Sequence, residues 1–75
     1  MQQKFEMNRI KILRLPEVSY LTSLSRSTLY EKMNIKSKRY DPKFPKTIKL
    51  GVNAIGWYEH EINQWIESKA LERGR

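Results

Sequence analysis

Two short helical segments lie close together near the start of the chain, and their spacing limits the possible folds more than any other feature. Pro16 suits the first turn of a helix, because its missing N–H group would have no partner there. Glu17 follows and favours the positive end of the helix dipole. Val18 and Leu21, three residues apart, share one face. We therefore predict a first helix over residues 16–22, preceded by a short extended stretch.

A second helix is predicted directly after a run of hydroxyl-bearing residues. Residues 22–25 favour turns and helix caps, and Ser25 is a suitable N-cap. Leu29 and Met33, four residues apart, form the inner face of a helix over residues 26–33. Two short helices separated by three or four residues are typical of a helix-turn-helix. A generic helical hairpin has the same spacing, so the pattern alone leaves both open.

A small β-hairpin is predicted further along the chain. Pro42 and Pro45 interrupt helix and strand in a polar, basic connection. Residues 47–50 then alternate polar and apolar, a Gly/Asn turn follows, and residues 55–57 form a second apolar stretch. A hairpin that follows two helices is typical of a wing. The predicted fold is mainly α with a small β-hairpin wing, a winged helix-turn-helix.

The last predicted helix carries an apolar stripe and ends at Gly74. The stripe residues are Ile62, Trp65, Ile66 and Ala70. We expect this stripe to be buried, although an exposed stripe would favour a module that docks a partner protein. The predicted core consists of Leu15, Val18, Leu21, Leu29, Ile48, Ile55, Trp57, Ile62, Trp65 and Ile66.

Positive charge is concentrated in the middle of the chain. The net charge is +7, and residues 26–49 contain eight basic and two acidic side chains, a local charge of +6. A surface that only needs to be soluble usually mixes the two signs more evenly. This distribution indicates a polyanionic partner, with nucleic acid favoured over an anionic membrane surface. An RNA-binding surface is an alternative, but residues 47–50 offer none of the aromatic side chains that stack on bases.

Catalysis and membrane insertion find no support in the sequence. His60 is the single histidine, there is no cysteine, and the three glycines form no phosphate-binding loop. We expect no enzymatic activity, no cofactor and no metal. No apolar run approaches the length of about 18 residues that would span a bilayer, and residues 1–13 have no secretory signal pattern. A cytoplasmic protein without membrane contact is expected.

Five short motifs occur in an order that resembles one family. They are RLPEV at 14–18, SRSTLY at 25–30, FPKTIKLG at 44–51, IGW at 55–57 and EINQWI at 61–66. Over about residues 11–69 the chain resembles the AlpA family of prophage regulatory proteins, which are small relatives of phage excisionases with a MerR-like winged helix-turn-helix. The chain differs from the family pattern in a longer, more basic segment at 34–43, in Tyr58 and in His60.

The resemblance implies a DNA-binding regulator of a prophage or integrated element. Such a protein acts as a transcription regulator, as a recombination directionality factor (excisionase), or as both, and a tyrosine integrase is a candidate partner. We predict a domain over residues 10–73 after a flexible N-terminus, residues 1–9. Because the domain is small, further copies on adjacent DNA sites are also candidate partners.

The second helix is predicted to enter the major groove of double-stranded DNA. Arg26 is the candidate for base reading, because its guanidinium matches O6 and N7 of guanine. The other candidates near it are Ser25, Ser27, Thr28, Tyr30 and Lys32. Phosphate contacts are predicted for Lys36, Lys38, Arg39, Lys43 and Lys46, with Lys49 on the wing. Alternatively, Arg26 pairs with Glu31 or Glu17, Thr28 only caps its helix, and Tyr30 packs against the wing.

Overall fold

The computed structural model describes residues 10–74 and contains three helices and a three-stranded sheet within this range. In chain order the elements are β1 (Ile12–Leu13), α1 (Leu15–Thr22), α2 (Arg26–Met33), β2 (Ile48–Gly51), β3 (Ala54–Tyr58) and α3 (Glu59–Glu72). Both predicted short helices, the hairpin and the last helix are confirmed. The predicted flexible segment, residues 1–9, lies outside the described residues.

A tight turn joins α1 to α2. The helix α1 begins at Leu15, one residue earlier than predicted, and the Arg14 backbone N–H donates to the Glu17 carboxylate at 2.8 Å. Its last residue is Thr22, and the C-cap Ser23 has a left-handed φ of 61°, which turns the chain away from the helix axis. The helix α2 has the predicted bounds, and the Ser25 hydroxyl accepts from the Thr28 backbone N–H at 3.1 Å. The hydroxyl-rich segment therefore ends one helix and caps the next.

The sheet is antiparallel, with strand order β1-β3-β2. The strands β2 and β3 form the predicted wing around Val52 and Asn53. On the other side of β3, Leu13 of β1 pairs with Trp57. The short extended stretch predicted before the first helix thus becomes an edge strand, which ties the entry of α1 to the wing.

The core lies where α1, α2, α3 and the sheet meet. Its buried members are Leu13, Val18, Leu29, Phe44, Trp57, Ile62 and Trp65. The predicted core residues Leu15, Ile55 and Ile66 pack against it while partly buried, and Ile48 is also half-buried. The prediction for Leu21 is wrong, because 43% of this residue is exposed. The eight residues of α1 bury Val18, and Leu21 is left lining open surface grooves on the flanks of the helix.

Phe44 and Leu13 are core residues that the helical and strand patterns did not predict. Phe44 lies in the loop between the helices and the wing, where its ring packs edge-on against Trp65 at 5.0 Å and against Trp57 at 6.4 Å between centroids. The Trp57 indole N–H donates to the Pro45 carbonyl at 3.2 Å. These contacts fix the loop to the core. The sequence signal that could have predicted the burial of Phe44 was its position as the one large apolar residue between Pro42 and Pro45.

Gly56 is required by the close approach of β1 to β3. A Cβ at this position would lie 2.5 Å from Cγ2 of Ile12, 3.0 Å from the Leu13 carbonyl oxygen and 3.1 Å from Cδ1 of Leu50. We expect Gly56→Ala to lower the free energy of unfolding by about 1–2 kcal/mol through overpacking. Gly51→Ala is the matched control, since its Cβ would meet only Ala54 at 3.9 Å. Urea denaturation of both variants checks this, and equal stabilities would contradict it.

Candidate nucleic-acid interface

The N-terminal half of α2 is exposed to solvent. Leu29 is fully buried and fixes the rotation of the helix, so that Arg26, Ser27 and Tyr30 are exposed. Tyr30 is 47% exposed. Ser25 and Thr28 are engaged with each other, because the Ser25 hydroxyl both accepts from the Thr28 backbone N–H and donates to the Thr28 hydroxyl at 3.0 Å. Ser25 is therefore the capping residue of α2, and the Thr28 side chain is hydrogen-bonded to it.

Arg26 forms no ion pair with a described acidic residue. The two acids considered as its partners are engaged elsewhere: Glu17 accepts from the Arg14 backbone N–H, and Glu31 pairs with Arg39 at 3.0 Å. Within residues 10–74 the Arg26 guanidinium therefore has no carboxylate within ion-pair distance. No acidic side chain of the described range competes with an anion or a base edge for this guanidinium.

The loop between α2 and β2 brings most of the predicted phosphate contacts to the C-terminal end of α2. Successive turns carry the chain round, with Ser37 N–H donating to the Asn34 carbonyl at 2.8 Å and Tyr40 N–H to the Ser37 carbonyl at 3.1 Å. The exposed cationic residues of this loop are Lys36, Lys38, Arg39, Lys43 and Lys46. Lys49 is exposed on β2, opposite Ile55 in the wing.

Lys32 has a different environment from the other predicted contacts. It is half-buried, and its ammonium nitrogen lies 5.5 Å from the centroid of the Trp65 ring. Lys69 approaches the same ring at the same distance. A cation over an indole ring is an attractive arrangement. The structure therefore places Lys32 on the side of α2 that faces α3.

Asp41 fastens the basic loop to both α2 and α3. Its backbone N–H donates to the Lys32 carbonyl at 2.9 Å. Its Oδ2 accepts from the Trp65 indole at 2.9 Å and pairs with the Lys69 ammonium at 3.2 Å. Sequence reasoning did not assign Asp41 a role. The available signal was a single acid among the basic residues of this loop.

Hydrogen bonds and charge determine the ionisation of Asp41, whose side chain is 12% exposed. Burial alone would raise the pKa of Asp41, but hydrogen bonds from Trp65, the Lys43 backbone N–H and Lys69, together with the Lys69 charge, outweigh it and hold the pKa below its ordinary value of 3.8. The charged carboxylate therefore stabilises the folded state. This contribution is complete above the ordinary pKa and is lost as the pH falls through the lowered one.

We expect the free energy of unfolding to fall in acid partly because Asp41 becomes protonated. In Asp41→Asn the ion pair with Lys69 is absent, and the single side-chain oxygen can accept from Trp65 or from the Lys43 backbone N–H but not from both in this geometry. The variant should be less stable than the wild type at pH 7. The difference should persist down to about the ordinary pKa of 3.8 and shrink below it, as the pH falls through the lowered pKa of the folded state. Urea denaturation at several pH values checks this. A difference that does not shrink below pH 3.8 would contradict the assigned role.

No helix within residues 10–74 combines the length and the apolar character needed to cross a membrane. The same residues contain no group of three or more acidic or histidine side chains arranged to hold a metal ion.

The fold and the exposed second helix together define a class of protein. Two helices joined by a tight turn, followed by an antiparallel wing and a packing helix, form a winged helix-turn-helix. The sequence model of the family described as "Prophage CP4-57 regulatory protein (AlpA)" matches residues 11–70. The chain belongs to this AlpA family of prophage regulatory proteins, as its motifs indicated.

The chain is similar to two known proteins, one of which carries the AlpA name. The chain is 47% identical over 60 residues to the "DNA-binding transcriptional activator AlpA" of Escherichia coli strain K12. The aligned segment covers 80% of this chain and 86% of the relative. The chain is also 31% identical over 70 residues to "Uncharacterized protein ORF88" of Enterobacteria phage P4, covering 93% of this chain and 73% of the relative. No solved structure matches the chain significantly.

Proposed function

We propose that this protein is a sequence-specific regulator that binds double-stranded DNA and serves a prophage or an integrated element. The observation that carries the proposal is the exposed N-terminal half of α2, where Arg26 has no described acidic partner, beside a densely basic loop. The name of the Escherichia coli relative, a DNA-binding transcriptional activator, supports the same class of function.

In the proposed complex α2 lies in the major groove. Arg26 reads a guanine, and Ser27 and Tyr30 contact base edges or phosphates. Ser25, which caps the helix, and Thr28, which is hydrogen-bonded to Ser25, lie at the same end. The proposed backbone contacts position the protein without reading sequence. The exposed ones are Lys36, Lys38, Arg39, Lys43, Lys46 and Lys49. Lys32, which is half-buried beside Trp65, is proposed as a further phosphate contact.

The DNA-bound protein then regulates transcription, directs recombination as an excisionase, or does both. One short helix and a small wing offer a limited contact area, so further copies on adjacent sites or a tyrosine integrase would add specificity. We assign this activity to a domain of residues 10–73 acting in the cytoplasm. The alternative of a docking module is disfavoured, because Ile62 is fully buried and Trp65 is 8% exposed. The RNA alternative has no exposed aromatic residue on β2 to support it.

Fluorescence anisotropy with three duplexes tests the proposal. The probes are the DNA upstream of the protein's own gene, the nearest integrase attachment site and a scrambled duplex, each at about 50 and 200 mM salt. We expect a native duplex to bind more tightly than the scrambled one at both salt concentrations. The preferred fragment then distinguishes regulation of transcription from direction of recombination. Equal binding that collapses in high salt would reject sequence-specific recognition.

A further inference from the structure

An acidic residue lies on the outward side of the proposed recognition helix. Each residue of an α-helix turns the side-chain direction by about 100°, so Glu31 points nearly opposite to the buried Leu29. Its Oε1 lies 3.0 Å from a guanidinium nitrogen of Arg39. Arg39 comes from the basic loop, eight residues further along, and the pair forms only because that loop folds back beside α2.

This pair contributes little to the stability of the fold. The side chains of Arg39 and Glu31 are 69% and 41% exposed, and exposed ion pairs contribute little to folding. A bare carboxylate on a helix that enters a groove would also be repelled by the phosphates. Arg39 removes that repulsion and restricts the carboxylate to one orientation. The remaining guanidinium N–H groups of Arg39 stay available for a phosphate.

We propose that Glu31, oriented by Arg39, accepts a hydrogen bond from an exocyclic amino group of a base in the major groove. This inference rests on the proposed function and adds a second base-reading residue to α2. An ionised carboxylate only accepts hydrogen bonds, and the amino groups that the major groove presents are N4 of cytosine and N6 of adenine. Cytosine is the expected base, since acidic side chains typically accept from its N4. Arg39 acts as a positioning residue.

Two effects of removing Glu31 have opposite signs, which makes the proposal testable. Loss of one negative charge tightens binding to any DNA. Loss of a base contact removes the preference at one base pair. Glu67→Ala is the matched control, because Glu67 is exposed on α3 and the variant makes the same change in charge.

The experiment selects bound duplexes from a pool with a randomised 14-base-pair segment and sequences them for each variant. At one position the wild type should prefer cytosine about tenfold or more, or adenine if N6 is the donor. Glu31→Ala should lose that preference and keep the others, and Glu67→Ala should keep them all. Arg39→Lys retains the charge but lacks the planar fork, so it should weaken the preference at the same position.

The outcomes separate this inference from the proposed function. If the wild type selects a sequence and Glu31→Ala selects the same one with the same strength at every position, the role of Glu31 is wrong and the proposed function stands. If the wild type selects no sequence, the proposed function fails and the base-reading role fails with it. Loss of preference at every position in both Glu31→Ala and Glu67→Ala would also reject a specific contact by Glu31.

Discussion

Trp65→Ala is expected to lower the free energy of unfolding by about 3–5 kcal/mol, the usual cost of removing a core tryptophan. Trp65 is 8% exposed and packs edge-on against Phe44 at 5.0 Å. Its indole also donates to Asp41, so the truncation leaves a largely buried carboxylate with one donor fewer. A domain of this size has a small total stability, and the variant should be partly or fully unfolded at 37 °C.

Urea denaturation followed by circular dichroism measures this effect. Trp65→Phe is the control, because it retains a ring against Phe44 and lacks only the indole bulk and the N–H donor to Asp41. We expect Trp65→Phe to lose about 1–2 kcal/mol. A Trp65→Ala variant within 1 kcal/mol of the wild type would show that α3 does not hold the core together as described.

Arg26→Ala is expected to weaken specific DNA binding by about 10- to 100-fold, which corresponds to a loss of about 1–3 kcal/mol. Arg26 is exposed at the first position of α2 and makes no ion pair with a described residue. Its removal should therefore leave the thermal melt unchanged. Binding to scrambled DNA should fall much less, because only one cation is lost.

Arg73→Ala serves as the control for charge. Arg73 is an exposed cation at the C-terminal end of α3, so its removal changes the net charge equally without touching α2. Anisotropy titrations should show that Arg73→Ala keeps the preference for the native duplex. An Arg26→Ala variant that melts normally and still prefers that duplex would refute the base-reading role of Arg26.

The local elements of this protein could be predicted because their signals lie within a few neighbouring residues. Ser25 caps α2, and its side chain accepts from a backbone N–H three residues ahead. Pro16 and Glu17 start α1, and the alternation of residues 47–50 followed by the turn at Val52 and Asn53 forms the wing. The concentration of charge in residues 26–49 likewise located the candidate interface before any contact was known.

The partners of individual side chains within that interface could not be predicted in this way. The sequence offered Glu31 or Glu17 as partners for Arg26, whereas Glu31 pairs with Arg39 in the structure. That pairing depends on the path of the basic loop, which Asp41 fixes through Trp65 and Lys69 on α3. A contact between residues 24 positions apart leaves no periodic trace in the chain.

The sequence by itself determined the order and type of the elements, the family, and the region that carries positive charge, because each rests on local propensity, motif order or composition. The tertiary structure alone decided which apolar residues are buried and which charged residues form ion pairs with one another. Leu21 has a suitable helical position, but no element among residues 10–74 covers it and it is 43% exposed. Phe44, in a loop, instead packs against both Trp57 and Trp65. Burial depends on what the rest of the chain places opposite a side chain, and only the folded arrangement contains that information.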